Sequence, residues 1–595
     1  MGAFKSAVIT KQGQALLAKV IAGTTKFTFT KIKISEQPLS GDLASLTGIG
    51  TIKQEEKVAS VVRQNEANVK VSTSFTNENL GAGYYVRNIG LYATDPQDGE
   101  ILYSISVADE STATADWMPP FNGIGVSSLL VDLVTAVSNA SNVTVTVDPS
   151  AGATVAQIVN LQDQIDDVRT FVGYEQDDVY GVEVDFVNKQ FTRLAGAENM
   201  TAGEDFSALT PWGGRKRCIV ADDGTVLAYR GETGYTEAGA TTQAITVNGT
   251  EYPSGTLVQV MVEQPIFYTK TVPVKATAAT SARGKQFSTV RYYISPTPKT
   301  GFKASDAFRD ANGILQDKIY LAAYEGSIYD TSAQAYLKAD EQSADFAADM
   351  LSSIANAKPA SGLTQILTRS NTRSLCTNRG EGWQLHNIFA LAVTQWLILI
   401  EYASFDSQLH IGKGVSSLAD GSGNMALITG ATSSLGNGSG IPDGGEDGKC
   451  SVSYRGEENL WGNIWTWLDG INFYNTATDS TVFVKGFGAM TDDTSEGYTA
   501  LAFSAIKSSG YISAFGIDES MAEVFIPTAL GGSTNLPVGD YFWNSNTGWR
   551  VAILGGSWNI GSYCGAWYLY ANYASSYRYR YVSGRLLYVP QSEVA

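Results

Sequence analysis

The chain has 595 residues, of which 44% are hydrophobic and 17% are charged, and it contains 60 glycines. This length predicts roughly three to five domains, and the composition is typical of many short strands joined by glycine turns. The formal net charge of −18 argues against the broad basic face that nucleic-acid binding requires, and equally against docking on anionic lipid. We therefore expect no nucleic-acid partner.

The sequence predicts neither a secretory signal nor a metal-binding motif. The start, MGAFKSAVITKQGQALLAKVIAG, lacks the apolar core and cleavage site of a secretory signal, so we expect a chain made in the cytoplasm. The most apolar stretch, 387–405, contains Gln395 and Glu401 and predicts a buried helix without membrane insertion. The 4 cysteines have no metal-ligand spacing. A Cys376–Cys450 disulfide and buried free thiols both fit, and we favour free thiols, with no metal and no cofactor.

The N-terminal segment starts with a helix pattern that ends at Gly23. Its apolar residues recur at helical spacing: Leu16, Leu17, Val20 and Ile21. Strand patterns follow, in KFTFTKIKIS, SVVRQNEANVKVSTSF, YYVRNIGLYATD, EILYSISVA, SSLLVDLVTAV and NVTVTVD. The sequence TDPQDGE between two of them predicts a hairpin turn. One helix followed by strands predicts a small α+β domain over residues 1–150.

Two stretches of this segment carry a family resemblance. ITKQGQALLAKVIAGTTKFTFTKIKIS, followed by GYYVRNIGLYATDPQDGEILYSI, resembles the N-terminal attachment domain of bacteriophage tail-collar and tail-fibre proteins. The shared pattern is a helix, a strand, an aromatic-rich IGLY strand and a hairpin. The resemblance implies that residues 1–150 fix a fibre to the virion baseplate, with phage baseplate and tail proteins as partners.

Residues 151–174 show a short coiled-coil pattern. The apolar positions step by 3, 4, 3 and 4 residues: Ile158, Leu161, Ile165, Val168 and Val172. The run covers about two heptads, fewer than the three or four that identify a coiled coil. A single amphipathic linker helix is the alternative; we favour a short trimeric coiled coil and hence a homotrimer.

Residues 175–360 predict a β-rich spacer domain. Strand patterns are separated by Gly and Asp turns such as ADDGT, so Asp222 and Asp223 predict a turn rather than an acid–base pair. The sequence SADFAADMLSSIANA, residues 343–357, predicts a helix that closes the domain. We find no catalytic constellation in this segment.

Residues 361–595 contain three ordered blocks. They are carried by Trp396, Glu401 and Tyr402; by Trp461, Gly462, Asn463, Trp465, Trp467 and Asp469; and by Arg550, Val551, Gly555, Gly556, Ser557 and Trp558. The blocks resemble C-type-lectin-fold proteins, in particular the formylglycine-generating-enzyme-like branch. The resemblance implies a lectin-fold scaffold built on Trp461, Gly462, Trp465, Trp467, Gly555, Gly556 and Trp558. Such tryptophans bury about 150–250 Å² each, and the paired glycines allow a tight turn.

The same blocks do not predict an enzyme. Formylglycine-generating enzymes use paired cysteines, whereas Cys564 stands alone here. His386 and His410 are the only histidines, so the chain offers few side chains for histidine-based catalysis. Glu401 and Asp469 lie in apolar surroundings, and we predict that their carboxylates accept hydrogen bonds from backbone or indole N–H groups. We therefore predict no catalytic residue.

A glycine-rich segment, 420–450, predicts a loop-heavy insertion. Asp443, Glu446 and Asp447 offer the oxygen ligands that calcium prefers, but their spacing fits no EF-hand loop. We predict a solvated turn rather than a metal site.

Seven tyrosines lie between Tyr563 and Tyr581, where the average composition predicts about one. The segment 555–589 resembles the variable region of diversity-generating-retroelement target proteins. In that family selected AAC asparagine codons are rewritten at adenines, which gives Tyr or Ile after one change and Cys after two. The candidate variable, receptor-binding positions are Ile560, Tyr563, Cys564, Tyr570, Tyr573, Tyr577, Tyr579 and Tyr581. For Cys564, serine is an equally good parent.

The last three of these tyrosines alternate with Arg578 and Arg580. In an extended segment the rings would share one side, and the arginines would face the other and pair with carboxylates. The alternative is an amphipathic strand whose tyrosines cover the core. We favour a binding surface, since tyrosine gives large contact area at low entropy cost.

Together these patterns predict a multidomain, β-rich chain: an α+β attachment domain, a short coiled coil, a β-rich spacer and a C-terminal C-type-lectin fold. We predict a homotrimeric phage tail-tip receptor-binding protein, carried on the virion, that recognises a host cell-surface protein or glycan. The alternatives are a bacterial surface-displayed variable adhesin and, less favoured, a formylglycine-generating-type enzyme.

Overall fold

The computed structural model of the chain describes residues 4–22, 28–63, 68–110, 115–121, 126–137, 178–277, 284–340, 344–363 and 365–592. The chain forms two compact units, Met1–Val172 and Gly173–Ala595. Both are rich in strands, which confirms the β-rich, multidomain prediction. The predicted coiled coil lies outside the described residues, together with Ile158, Leu161, Ile165, Val168 and Val172.

The first unit contains one described α-helix and ten described strands. They are β1 (Val8–Ile9), α1 (Lys11–Ile21), β2 (Thr28–Ser35), β3 (Ile52–Lys57), β4 (Ser60–Arg63), β5 (Asn68–Thr76), β6 (Tyr84–Val86), β7 (Asn88–Asp95), β8 (Gly99–Val107), β9 (Asp116–Met118) and β10 (Ser128–Ala136). The Thr10 hydroxyl caps α1 by accepting the Gly13 N–H at 3.0 Å. This confirms the predicted helix and the α+β class of the N-terminal domain.

The strands of the first unit pair in three sheets, with the orders β1-β8-β7-β2-β3, β10-β5-β4 and β6-β9. Strands β7 and β8 form an antiparallel hairpin in which Asp95 faces Gly99, so the predicted turn is confirmed. The apolar side of α1, including Leu16 and Val20, is buried in the core of this unit.

The second unit contains five described α-helices: α2 (Glu204–Ser207), α3 (Thr210–Gly213), α4 (Arg369–Thr377), α5 (Ile388–Tyr402) and α6 (Ser407–His410). Its first described strands are β11 (Tyr180–Asp185), β12 (Gln190–Ala195), β13 (Lys216–Ala221), β14 (Val226–Tyr229), β15 (Ile245–Val247), β16 (Thr250–Tyr252), β17 (Val258–Pro265), β18 (Tyr268–Thr277), β19 (Gln286–Ser295), β20 (Lys303–Ala304), β21 (Lys318–Ala322), β22 (Ser327–Asp330), β23 (Ala335–Leu337) and β24 (Met350–Ser352). The remaining strands are β25 (Trp383–Leu385), β26 (Ser453–Tyr454), β27 (Glu457–Glu458), β28 (Trp465–Asn475), β29 (Ser480–Val484), β30 (Thr499–Ser504), β31 (Ser509–Phe515), β32 (Pro527–Leu530), β33 (Tyr541–Trp543), β34 (Gly548–Leu554), β35 (Leu569–Tyr573), β36 (Val582–Ser583) and β37 (Leu586–Tyr588).

Among the described residues, a nine-stranded sheet dominates the C-terminal part of the second unit. Its order is β30-β29-β28-β34-β35-β33-β31-β32, and β36 pairs with β28 in parallel. The other larger sheets have the orders β12-β11-β19-β18-β20 and β14-β13-β17-β21-β37-β25.

The largest hydrophobic core of the second unit spans the predicted boundary at residue 360. Strand β37, near the C-terminus, pairs with β21 on one side and β25 on the other. Helix α5 is buried almost throughout, as predicted. Its Trp396 ring packs against Tyr292 and Phe525, which come from either side of the boundary. Since a helix that is apolar all round must be covered on every side, segments 175–360 and 361–595 fold as parts of one compact unit.

The helix predicted for residues 343–357 is wrong. Strand β24 occupies its middle and pairs with β22. The Asp349 carboxylate accepts the backbone N–H groups of Asp345 and Thr331 at 2.7 and 3.0 Å. Such local side-chain bonds compete with helix formation. In the part of the chain that the structure describes, no helix is long and apolar enough to span a bilayer.

Candidate binding surface

Three neighbouring strands of the large sheet place aromatic rings on one face. Tyr511 of β31 lies directly opposite Tyr541 of β33, and Trp543 of β33 pairs with Tyr570 of the parallel strand β35. Side chains alternate between the faces of a strand, and Phe542, between Tyr541 and Trp543, is fully buried in the core. The four rings are only half-buried, so this face of the sheet remains accessible to solvent.

Tyr563 extends this aromatic face. It ends a single 3-10 turn, Gly561–Tyr563, and is 36% exposed. Its ring centroid lies 4.5 Å from that of Tyr541, 5.5 Å from that of Tyr511 and 6.1 Å from that of Trp543. A predicted variable residue therefore sits on a bed of rings contributed by the sheet.

A row of stacked tyrosines continues from the end of β35. The ring centroids of Tyr570 and Tyr573 are 4.5 Å apart, and those of Tyr573 and Tyr577 are 3.5 Å apart with the planes only 6° from parallel. Tyr579 follows Tyr577 at 6.4 Å and contacts Tyr581 at 4.6 Å. Burial raises the pKa of the Tyr573 and Tyr577 hydroxyls above the usual range, so both remain protonated at neutral pH.

We call this set of nine rings the aromatic patch: Tyr511, Tyr541, Trp543, Tyr563, Tyr570, Tyr573, Tyr577, Tyr579 and Tyr581.

The floor beneath the aromatic patch is Trp465, at the start of β28. Its buried ring lies 4.7 Å from Tyr581, edge to face, 5.3 Å from Tyr570 and 6.2 Å from Tyr573. Trp465 is therefore a buried residue, as its predicted scaffold role requires. Its ring packs directly against tyrosines of the aromatic patch.

Arg580 holds the end of the tyrosine row to the glycine-rich segment. Its guanidinium donates to the Asp420 carboxylate at 2.7 Å and to the Gly423 carbonyl at 2.8 Å. The indole N–H of Trp558 donates to the same carboxylate at 2.9 Å. These two donors, Arg580 first, lower the pKa of Asp420. The predicted pairing of an arginine with a carboxylate thus occurs at Arg580, whereas Arg578 is exposed.

Residues 577–581 do not form a β-strand. Residues 575 and 576 form a turn, closed by the Tyr577 N–H donating to the Ala574 carbonyl at 3.0 Å, and β36 begins only at Val582. The three tyrosines therefore do not line one side of a strand. Tyr579 is 46% exposed, whereas the half-buried Tyr577 donates its hydroxyl hydrogen to the Tyr581 hydroxyl at 3.5 Å.

The eight candidate variable positions differ in accessibility. Tyr563 and Tyr579 are exposed, and Ile560, Tyr570, Tyr573, Tyr577 and Tyr581 are half-buried. Cys564 is fully buried, so placing it on the surface was wrong. A Cβ added to Gly556 would lie 2.4 Å from the Cys564 sulfur, and burial raises the pKa of the Cys564 thiol. The compact turn around Gly556 leaves this side chain no path to solvent.

The remaining predicted scaffold residues lie in the interior. The indole N–H groups of Trp461 and Trp467 donate to the carbonyls of Gly412 and Leu367 at 2.9 and 2.8 Å. Trp558 is also buried. Three scaffold glycines have positive φ: Gly462, Gly555 and Gly556. At Gly555 a Cβ would lie 2.6 Å from the Leu460 carbonyl oxygen, so glycine is required there.

Glu401 and Asp469 are held in ion pairs, which sequence reasoning missed. Glu401 binds Arg455 through both carboxylate oxygens at 2.6 and 2.8 Å, and Asp469 binds Arg373 at 2.6 and 2.9 Å. Both carboxylates are buried. The four cysteines are free. Within the described ranges, no group of three or more His, Cys, Asp or Glu side chains has the geometry of a metal site.

Tyr511, Tyr541 and Trp543 were not predicted as surface residues. The sequence Tyr541-Phe542-Trp543 carries a local signal, since residues two apart in a strand share a face. Their proximity to Tyr563 and Tyr570 depends on strand pairing over a long sequence separation, which the sequence does not display.

The comparison with protein families identifies the N-terminal part of the chain. Residues 1–156 match the family "Phage tail-collar fibre protein, N-terminal". The predicted resemblance is confirmed, and the tail-collar-like region extends slightly beyond the predicted boundary at residue 150. No curated protein matches the chain.

Among solved structures, the chain is similar to variants of the Major Tropism Determinant. The P3c variant shares 12% identity at a TM-score of 0.21, with 63% of this chain and 71% of that chain covered. The I1 variant shares 13% identity at a TM-score of 0.23, with 63% and 72% covered. The M1 variant gives 13% identity, a TM-score of 0.23, and 63% and 73% covered.

Proposed function

We propose that the chain is a phage tail-tip receptor-binding protein. Its tail-collar-like domain attaches it to the virion tail, and the aromatic patch on the second unit contacts a molecule on the host cell surface. On this proposal residues 361–595 supply a C-type-lectin-type scaffold, and the variable segment 555–589 changes the contact surface while the buried tryptophans keep it folded. No reaction is required.

The observation that carries the proposal is the exposure of aromatic side chains in a chain that has a tail-collar-like domain. Tyr563 and Tyr579 are 36% and 46% exposed and are continuous with half-buried rings on either side. Tyrosine and tryptophan are enriched at binding hot spots because one ring brings apolar area and the hydroxyl or indole N–H brings a polar contact. Core packing does not require such a surface.

A trimer would strengthen binding through this surface. Three copies that engage one cell together convert modest individual affinity into high avidity. Light scattering on the purified chain tests this point, since a homotrimer has three times the chain mass of 63.6 kDa.

The test of the proposal is binding of the purified full-length chain to a panel of bacterial cells. Tyr563→Asn and Tyr579→Asn change the two exposed rings and leave the stacked rings in place. Tyr474→Asn is the matched control, because Tyr474 is 45% exposed and contacts Trp549 rather than the aromatic patch. We expect the first two variants to lose or redirect cell binding and the control to bind normally. Equal binding by all three variants would rule out the aromatic patch as the receptor site.

A further inference from the structure

The aromatic patch contains rings from outside the variable segment. Tyr511 and Tyr541 form a directly opposed cross-strand pair with ring centroids 5.1 Å apart, and Trp543 lies 4.6 Å from Tyr541. All three belong to strands β31 and β33, which precede residue 555. Each is half-buried and presents its remaining surface beside Tyr563.

Hydrogen bonding and core packing fix the position of these rings. The Tyr511 hydroxyl and the exposed Ser562 hydroxyl are hydrogen-bonded at 3.0 Å, which ties β31 to the turn that carries Tyr563. Phe542 anchors β33 in the core between Tyr541 and Trp543. Rings that are already immobilised lose little entropy on binding, which favours affinity.

We infer that Tyr511, Tyr541 and Trp543 form a constant half of the receptor-binding site, and that the partner they contact is a protein. This inference rests on the proposed function: the constant half supplies affinity for any receptor, and the tyrosines of the variable segment select among receptors. A change at Tyr563 then alters the centre of the site without removing its aromatic base.

The extent of the aromatic patch favours a protein partner over a sugar. Ring contacts continue without interruption through Tyr511, Tyr563, Trp543, Tyr570, Tyr573, Tyr577 and Tyr579. A single sugar ring covers less of such a surface than a protein does, since each side of a standard protein interface buries about 800 Å². Tyrosine and tryptophan are also the side chains over-represented at the centres of protein interfaces.

The experiment uses the full-length chain and cells of a strain to which it binds. The variants Tyr511→Ala and Tyr541→Ala remove constant rings, and Ser562→Arg covers the same area without removing a packed side chain. Tyr474→Ala is the control for losing a tyrosine ring that lies outside the aromatic patch. We expect about a tenfold or greater loss of affinity for the first three variants and no loss for the control. Binding should disappear from protease-treated cells and persist on periodate-treated cells.

The outcomes separate the two proposals. If Tyr579→Asn weakens binding but Tyr511→Ala, Tyr541→Ala and Ser562→Arg do not, the constant half is refuted and the proposed function stands. If neither set weakens binding, both fail. If an alanine variant unfolds, Ser562→Arg decides, since its side chain starts from an exposed position. Binding that survives protease and is lost after periodate would refute the protein partner.

Discussion

Replacing Tyr573 by asparagine tests whether the tyrosine row is a structural stack as well as a binding surface. The Tyr573 ring contacts Tyr570 at 4.5 Å and Tyr577 at 3.5 Å between centroids. An aromatic pair contributes about 0.5–1.5 kcal/mol beyond area burial, so losing both pairs lowers the free energy of unfolding by about 1–3 kcal/mol. Tyr579 also has two ring neighbours, Tyr577 at 6.4 Å and Tyr581 at 4.6 Å, but its ring is 46% exposed. We therefore expect a smaller loss of about 0.5–1 kcal/mol for Tyr579→Asn, near the lower limit for an aromatic pair.

Urea unfolding of the full-length chain, followed by tryptophan fluorescence, measures this difference. Of the 11 tryptophans only Trp117 precedes residue 173, so the signal reports mainly on the second unit. We expect the midpoint of Tyr573→Asn to fall below that of Tyr579→Asn, with wild type highest. Equal midpoints for the two variants would refute the stack. The result also decides how to test binding. If all eight candidate variable positions were replaced by asparagine at once, a loss of binding could come either from lost receptor contacts or from lost stability.

Three further predictions concern the support of the aromatic patch and the core. Asp420→Asn removes the carboxylate that pairs with Arg580, and an exposed ion pair is worth about 0.2–1 kcal/mol. We therefore expect nearly unchanged thermal unfolding but several-fold weaker cell binding, with Asp443→Asn as the control. Unchanged binding would contradict the role of Asp420 in positioning the tyrosine row. Burial raises the pKa of Glu325 to about 8, so the wild-type protein is progressively destabilised as the pH rises from the ordinary glutamate pKa towards 8. Glu325→Gln should therefore raise the melting temperature at pH 8 but not at pH 4. An equal rise in melting temperature at both pH values would show that ionisation of Glu325 is not the cause. At Gly565 a Cβ would lie 2.0 Å from an Asp540 carboxylate oxygen, whereas at Gly561 it would meet nothing within 4 Å, and both glycines have positive φ. Overpacking costs about 1–3 kcal/mol, so Gly565→Ala should lower the melting temperature of the second unit more than Gly561→Ala does. Equal melting temperatures for the two variants would contradict the close approach.

Local patterns in the sequence determined the elements whose physics is local. The spacing of Leu16 and Val20 predicted α1, and the turn between β7 and β8 followed from its Pro, Asp and Gly residues, since helix faces and tight turns depend on residues a few positions apart. The mostly apolar sequence of α5 predicted its burial. The N-terminal resemblance was recognisable for the same reason, because its pattern is a contiguous series of such elements.

Tertiary structure decided which residues form the surface. Tyr573 and Tyr579 look equivalent in the sequence, yet one is stacked between neighbours and the other is exposed, because a turn at residues 575 and 576 redirects the chain. Cys564 was grouped with these tyrosines because its codon can also arise from an asparagine codon by changes at adenines. The adjacent glycine turn buries it.

The joining of distant segments was likewise decided by the fold. Strands β37 and β21 pair although more than half of the second unit's sequence separates them, and the largest core contains residues of both predicted domains. Strands β31, β33 and β35 bring Tyr511 and Tyr541 beside the variable segment. Strand register over such separations is set by which faces must be buried together. That condition concerns the whole core, and no short stretch of sequence contains it.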